Sequence, residues 1–310
     1  MAHARRFRFG VQGRGMGPRD AWLTTLRRVE DAGYSTFLVL DHFVRGLDPI
    51  AALGAAATAT ETLRLGSMVM DNDFRHPAVL AKAMATIDVL SAGRLEIGIG
   101  AGWLREEYEQ TGIPFDPPGV RIDRMVEAVH LMKRAFVEDS VTFGGEHYTT
   151  TNLVMPPKPV QQPWPPIVIG GGSKRILTVA GQEADIVGLT TRALPDGSKD
   201  NADMTAASAI RKVSWVREAA GDRFDELELT IMVSDVVVTD DRHAAADRLA
   251  TGLGVSGDDV LDSPHLLIGT IDEMGETLQR RRELFGISYY VVVEGYMEKL
   301  APVVARLAGQ

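Results

Sequence analysis

The sequence predicts an α/β chain of the (β/α)8 TIM-barrel class, and three observations carry that prediction. Short apolar runs recur eight times along the 310 residues. Helical patterns follow each of these runs. Helix-to-strand junctions resemble one another: Ala32-Gly33-Tyr34 leads into Phe37-Leu38-Val39-Leu40, and Phe285-Gly286-Ile287 leads into Tyr289-Tyr290-Val291. Glycine after a last helical turn supplies the left-handed conformation cheaply. A continuous apolar run directly after it reads as a strand buried on both faces, the mark of a parallel sheet. Eight such units in this length fit a barrel, with a doubly wound open sheet as the rival architecture.

Taken in order, strands are expected over Phe7–Gln12, Thr36–Leu40, Arg64–Met70, Leu95–Ile99, Ile167–Ile169, Asp185–Leu189, Leu229–Val238 and Ser288–Val293. The helices between and after them are expected over Pro18–Ala32, Pro49–Thr60, Pro77–Leu90, Arg121–Val137, Lys174–Ala180, Ala206–Ala219, Ala244–Leu253, Ile271–Leu284 and Met297–Leu307. Pro49 and Pro77 stand where a first helical turn accepts proline. Two regions break the rhythm. After the fourth unit, Val141–Asn152 reads as a hairpin turning at Gly144-Gly145, and Met155–Pro166, with six prolines, reads as an extended crossing. After the sixth strand, Thr190–Thr205 is polar, holds Pro195 and Gly197, and reads as a long loop. No linker divides the chain, so residues 1–310 are expected to form a single domain.

Composition narrows the function classes. Lys plus Arg is 33 against 42 Asp plus Glu, a formal net charge of −9, and hydrophobic residues make up 45%. That apolar content excludes disorder as the main state. The negative charge argues against nucleic acid and anionic membrane surfaces as partners. Cysteine is absent, which removes disulfides, thiolate metal sites and a Cys nucleophile. Met1–Arg8 is basic, but Phe7–Gln12 is too short for a signal-peptide core. No run approaches the roughly 20 apolar residues that span a bilayer. The expectation is a soluble cytoplasmic protein.

In such a barrel, chemistry gathers just after the strands. The second run ends in Asp41-His42, an acid beside a base, read either as an ordered turn or as a proton donor and acceptor. Gly98-x-Gly100-x-Gly102-Trp103 follows the fourth run. It lacks the G-x-G-x-x-G spacing, which weakens a nicotinamide Rossmann reading. Either tight packing or a flat ligand near the backbone explains its glycines. Gly170-Gly171-Gly172-Ser173 opens a helix and is read as a plain turn or a phosphate seat. It is not a Walker A loop. His76, ahead of Pro77, reads as structural. No spacing supports a metal site, and no G-x-S-x-G elbow supports a serine hydrolase.

Together these motifs carry a resemblance. Ala32-Gly33-Tyr34 through Asp41-His42-Phe43, Asp71-Asn72-Asp73-Phe74-Arg75-His76-Pro77 and Leu90-Ser91-Ala92-Gly93-Arg94 through Gly102-Trp103 stand in the first half. Pro165-Pro166-Ile167 through Ser173, Ala184–Leu189 and Gly286–Val291 follow in the second. In order and spacing the chain resembles the luciferase-like monooxygenase superfamily, and within it the actinobacterial type of coenzyme F420-dependent oxidoreductase. The resemblance spans nearly the whole chain. It implies a barrel with an insertion after the fourth unit, a flavin or deazaflavin at the strand ends, a small organic substrate and a homodimer. It places a non-proline cis peptide near Ser67-Met68, against the cofactor ring.

The resemblance also implies the roles of residues. His42 is the catalytic residue, near the reacting ring edge. Asp41, Ser67, Met68, Asn72, Gly100, Ala101, Gly102 and Trp103 are cofactor-binding, as are Gly170, Gly171, Gly172 and Ser173, the last group near the cofactor phosphate. F420 is the implied cofactor, with FMN as the alternative. F420 carries electrons as a hydride at C5, whereas reduced FMN reacts with O2, so the alternative function is a two-component monooxygenase. A non-catalytic flavin-binding barrel is the third reading. Trp103 stands where glucose-6-phosphate-oxidising members carry Glu, and Phe43-Val44-Arg45 stands where they carry a Trp. Both departures argue against sugar-phosphate oxidation. Glu106 and Glu107 are read either as a substitute for that missing acid or, the reading preferred, as helix-surface charge.

Overall fold

The computed structural model describes residues 5–13, 17–194 and 198–310. The expected loop residues Pro195 and Gly197, and Met1–Ala4 of the basic N-terminus, lie outside the described residues.

In chain order the elements are β1 (Arg8–Gln12), α1 (Arg19–Asp31), β2 (Thr36–Val39), α2 (Pro49–Ala59), β3 (Arg64–Ser67), β4 (Met70–Asp71), α3 (Pro77–Leu90) and β5 (Leu95–Gly100). Next come α4 (Arg105–Thr111), α5 (Pro118–Val137), the hairpin strands β6 (Val141–Gly144) and β7 (Thr149–Leu153), β8 (Ile167–Gly171), α6 (Lys174–Glu183) and β9 (Ile186–Leu189). The chain continues with α7 (Ala206–Ala220), β10 (Glu228–Val233), β11 (Asp235–Val238), α8 (Arg242–Leu253), α9 (Gly257–Asp262), β12 (Leu266–Gly269), α10 (Ile271–Phe285), β13 (Ile287–Val293) and α11 (Met297–Leu307). Hydrogen bonding orders the principal strands β3-β2-β1-β13-β10-β9-β8-β5, and β3 also pairs with β5. Eight parallel strands therefore close on themselves, the (β/α)8 topology.

The chain divides into two compact units. One comprises Met1–Gly13, Arg28–Phe37 and Gly170–Gln310. Its sheet centre is β13, which pairs in parallel with both β1 and β10, while β10 pairs with β9. Apolar side chains such as Phe9, Ile231 and Val291 are buried there. The other comprises Arg14–Arg27 and Leu38–Ile169. In it β5 pairs with β3, β4 and the start of β8. All six residues of β5 are buried, as a strand covered on both faces requires.

Most expected helices lie within one to three residues of the observed ones, and α3 and α11 agree at both ends. His76 caps α3, its Nδ1 accepting the Ala78 amide at 3.2 Å, in line with the structural reading. Four features correct the sequence reading. The expected third strand is two: the Met68–Val69 peptide is cis, one bond beyond the expected place, and it separates β3 from β4. The expected seventh strand also breaks, at Ser234. The Ser234 amide and hydroxyl both donate to the His265 carbonyl, at 2.8 and 3.1 Å. This moves the ladder onto β12, and β11 pairs with β12 outside the ring. An insertion thus lies between β10 and β13, with its own small core of Ala245, Ala246, Val260 and Ile268. Finally, the hairpin turns over residues 145–148 rather than at Gly144-Gly145, because Gly144 still pairs with Thr149.

Candidate active site

In the unit containing β3 and β5, most of the predicted site residues sit at strand ends. His42 follows β2. Its Nδ1 lies 2.8 Å from Oε2 of Glu107, a residue of α4 whose side chain is only 2% exposed. Oε1 of the same carboxylate accepts the backbone amides of Phe43 and Val44 at 2.8 and 3.3 Å. Glu107 therefore ties the loop after β2 to α4. It is not the surface charge that the sequence suggested, although its neighbour Glu106 is exposed. The Trp103 ring stands edge-on to His42, centroids 5.9 Å apart, and is 43% exposed.

Asp41 points elsewhere than His42, as adjacent residues after a strand do. Arg75 grips both its oxygens, at 2.6 and 3.0 Å, and the Asp71 amide donates to it at 3.0 Å. The Ser67 hydroxyl donates to the Gly98 carbonyl at 2.8 Å and accepts the Gly98 amide at 3.1 Å. The side chains of Asp41 and Ser67 are thus engaged within the protein. The buried Asn72 amide donates to the Tyr148 hydroxyl at 3.1 Å. The Met68 amide is held by the Val39 carbonyl at 2.9 Å.

The glycines after β5 have a packing cause. A Cβ at Gly98 would overlap the Ser67 carbonyl oxygen, and one at Gly100 would lie 2.6 Å from Val69 Cγ2. The Ser67 carbonyl and the Val69 side chain fill the space that side chains there would occupy. Gly102 has φ +73 and lies against the Tyr108 hydroxyl and Asp71. Arg121 Nε donates to the Ala101 carbonyl at 2.9 Å, which fixes the Gly100-Ala101-Gly102 loop from α5.

Beneath that loop is a charged network that sequence reasoning missed. The Tyr108 hydroxyl donates to Asp71, 2.8 Å from Oδ1 and 2.9 Å from Oδ2. Arg124 bridges Asp73 and Asp116 at 2.9 and 2.8 Å. Burial pushes the Asp71 carboxyl up to about 7, against the lowering effect of the Asp73 amide and the Tyr108 hydroxyl; the charges of Asp73 and Asp41 push it further up. Burial, then the Asp71 charge, raises the Tyr108 phenol well above its usual range.

The remaining predicted residues belong to the other unit. Gly170-Gly171 ends β8, Gly172 follows it, and Ser173 is the N-cap of α6 but makes no side-chain cap bond. A Cβ at Gly172 would lie 2.6 Å from the backbone of Thr191 and Arg192. The loop after β9 carries local structure: Ala193 bridges Lys199, and a 3-10 turn spans Asn201–Met204. Asp203 organises it, accepting the Arg192 amide at 2.7 Å and pairing at 2.6 Å with Lys212. Lys212, 2% exposed, also donates to the Thr190 carbonyl at 2.8 Å. Burial lowers the Lys212 ammonium, and Asp203 opposes that shift. Among the described residues, no cluster of three or more His, Asp or Glu is arranged to hold a metal ion, and no helix is long and apolar enough to cross a membrane.

Comparison with known proteins fits this geometry. An F420-dependent glucose-6-phosphate dehydrogenase of Intrasporangium calvum is 34% identical over 179 residues, covering 54% of this chain and 53% of that protein. An FMNH2-dependent dimethylsulfone monooxygenase of Pseudomonas putida is 30% identical over 131 residues, covering 42% of this chain and 36% of that protein. The chain thus spans about half the length, or less, of these curated relatives. The solved structure of an F420-dependent secondary alcohol dehydrogenase with an F420-acetone adduct superposes with a TM-score of 0.75 at 21% identity, covering 98% of this chain and 99% of that one. That likeness establishes the shared fold. A family model described as luciferase-like monooxygenase matches residues 4–286, and the chain belongs to that family.

Proposed function

We propose that this protein is a coenzyme F420-dependent oxidoreductase that moves a hydride between the deazaflavin and a small organic substrate. The observation that carries the reading is His42: a histidine at a strand end, anchored through Nδ1 by a buried carboxylate, beside an exposed Trp103. The I. calvum relative supports F420 as the cofactor. Two features of the chain fit such a cofactor. Ser173, the N-cap of α6, makes no side-chain cap bond, and the amides of a helix N-terminus suit a phosphate. Gly170-Gly171-Gly172 presents bare backbone beside them.

In this reading Met68, Asn72, Gly100, Ala101, Gly102 and Trp103 hold the ring, with His42 as the catalytic residue; Gly170–Ser173, in the other unit, are a phosphate seat by themselves. Asp41 and Ser67 contribute by fixing the backbone around the ring, since their side chains are engaged with Arg75 and Gly98. When bound, the deazaflavin supplies a carbon that accepts or returns a hydride. His42 then takes up or gives back the accompanying proton at the substrate. Trp103 covers the ring side and limits water. A single domain over residues 1–310, a homodimer and a cytoplasmic location complete the proposal.

The test is parallel fluorescence titration of the protein with F420 and with FMN, followed by hydride transfer under reduced F420. Micromolar or tighter F420 binding and weaker FMN binding is the expected result. His42→Ala is expected to lower hydride transfer about a hundredfold or more with binding retained. The P. putida relative favours the second reading, an FMN-dependent monooxygenase; stronger FMN binding with O2 consumption would replace the first. Cofactor binding without turnover in the parent protein would leave a non-catalytic barrel.

A further inference from the structure

The two ring nitrogens of His42 meet different groups. Nδ1 faces Glu107 Oε2 at 2.8 Å, and Nε2 faces Arg45 Nη2 at 3.4 Å. An ionised carboxylate only accepts hydrogen bonds, and a guanidinium only donates them. Both contacts therefore select the same form of the ring, with the proton on Nδ1 and the lone pair on Nε2. Glu107 cannot rotate out of this arrangement cheaply. Its other oxygen is occupied by two backbone amides, from Phe43 and Val44, and the side chain is almost wholly buried. Releasing it would leave two donors and a carboxylate without partners.

We propose that Glu107 is the positioning residue of this site: it locks His42 in the Nδ1–H tautomer and leaves Nε2 as the nitrogen that meets the substrate's proton. The inference rests on the reading of His42 as the proton-handling group. Glu107 touches neither substrate nor cofactor in this scheme; it acts through the imidazole, as an orienting carboxylate does in other histidine-based sites. It is also separate from the carboxylate of glucose-6-phosphate-oxidising relatives, whose place is taken here by Trp103.

Glu107→Gln gives a sharp test, because the amide has one acceptor where the carboxylate has two. The Phe43 and Val44 amides need an acceptor, so the Gln carbonyl turns to them and its NH2 group faces Nδ1. His42 must then bare Nδ1 and carry its proton on Nε2. Ring 15N shifts of the cofactor-free protein, recorded at an alkaline pH where the imidazole carries one proton, are expected to show Nδ1–H in the parent and Nε2–H in Glu107→Gln. The same variant is expected to lose kcat by about a hundredfold or more. Its cofactor dissociation constant should stay within about threefold, as for an interaction lost only at the chemical step. A parent protein with its proton on Nε2, or a variant with an unchanged tautomer, would overturn the proposal. The parent measurement decides the matter even if the variant fails to fold. Failure of F420 binding would sink the functional reading while leaving the tautomer result intact. A wrong tautomer in a protein that turns over F420 would sink only the role of Glu107.

Discussion

Asp71 holds an acid where burial disfavours its charge, and this has a consequence for stability with a definite sign. Its folded-state value, about 7, lies above the unfolded value of 3.8. The folded state therefore keeps the proton longer than the unfolded chain does. The associated stability is fully present below about pH 4 and is lost as pH rises to about 7, at up to about 1.4 kcal/mol per pH unit. Asp71→Asn keeps an acceptor for the Asp73 amide, and the Tyr108 hydroxyl can turn round to accept from the new NH2 group. Thermal denaturation of the two proteins should show the variant gaining on the parent between pH 4.5 and pH 8. A difference in Tm that stays constant across that range would contradict the burial account. At this scale the sequence was legible only in part. Asp41, His42 and the glycines are found where strand ends were expected, because a strand end is a local signal. Glu107 was not, since its partner is 65 positions away and Arg105-Glu106-Glu107-Tyr108-Glu109 reads as a charged helix face. The one hint was Tyr108, a large apolar ring in that run, which marks the side of α4 that turns inward.

At the scale of elements, helices were predicted better than strands, for a physical reason. A helix is fixed by local periodicity and its caps, and proline at N1 located α2 and α3. A strand's extent depends on which neighbour it pairs with, and that is not local. Arg64–Met70 and Leu229–Val238 each read as one strand, yet each breaks partway: at Met68-Val69, on either side of which β3 and β4 both pair with β5, and at Ser234, beyond which β11 pairs with β12. β12 is four residues long and, among the described residues, pairs with β11 alone; its Leu266-Leu267-Ile268 run carried the same local signal as the ring strands and was left out of the eight expected strands. The junction of β10 and β12 carries a testable property. His265 is buried there, its Nδ1 3.2 Å from the Met232 carbonyl. Burial lowers its imidazole from 6.5 to about 4; the Met232 carbonyl opposes this, and the charges of Lys212, Lys199 and Arg281 add to it. The unfolded chain takes the proton first, so this junction's stability is present above about pH 6.5 and is lost as pH falls toward 4. The His265 ring C–H resonance should stay flat from pH 7.5 to pH 5. A titration midpoint near 6.5 in the folded protein would show that the ring is solvated.

For the whole molecule, the rhythm of eight units was the strongest signal in the sequence, and closure of the eight strands agrees with it. The insertion between β10 and β13 was hidden because its helices, α8 and α10, fit the same rhythm as the ring helices. The buried ammonium of Lys212 offers a way to follow the molecule as a whole. It is one of seven lysines in the chain, and it is locked between Asp203 and the Thr190 carbonyl. An amine-acylating reagent should label exposed lysines of the native protein within minutes and leave Lys212 untouched, as read by peptide mass spectrometry. In denaturant it should react like the rest. Rapid native labelling of Lys212 would mean that the brace is open in solution. If it is closed, the slow rate at which Lys212 becomes labelled measures how often the loop after β9 comes undone, a built-in clock for local opening that needs no cofactor, substrate or assay of turnover.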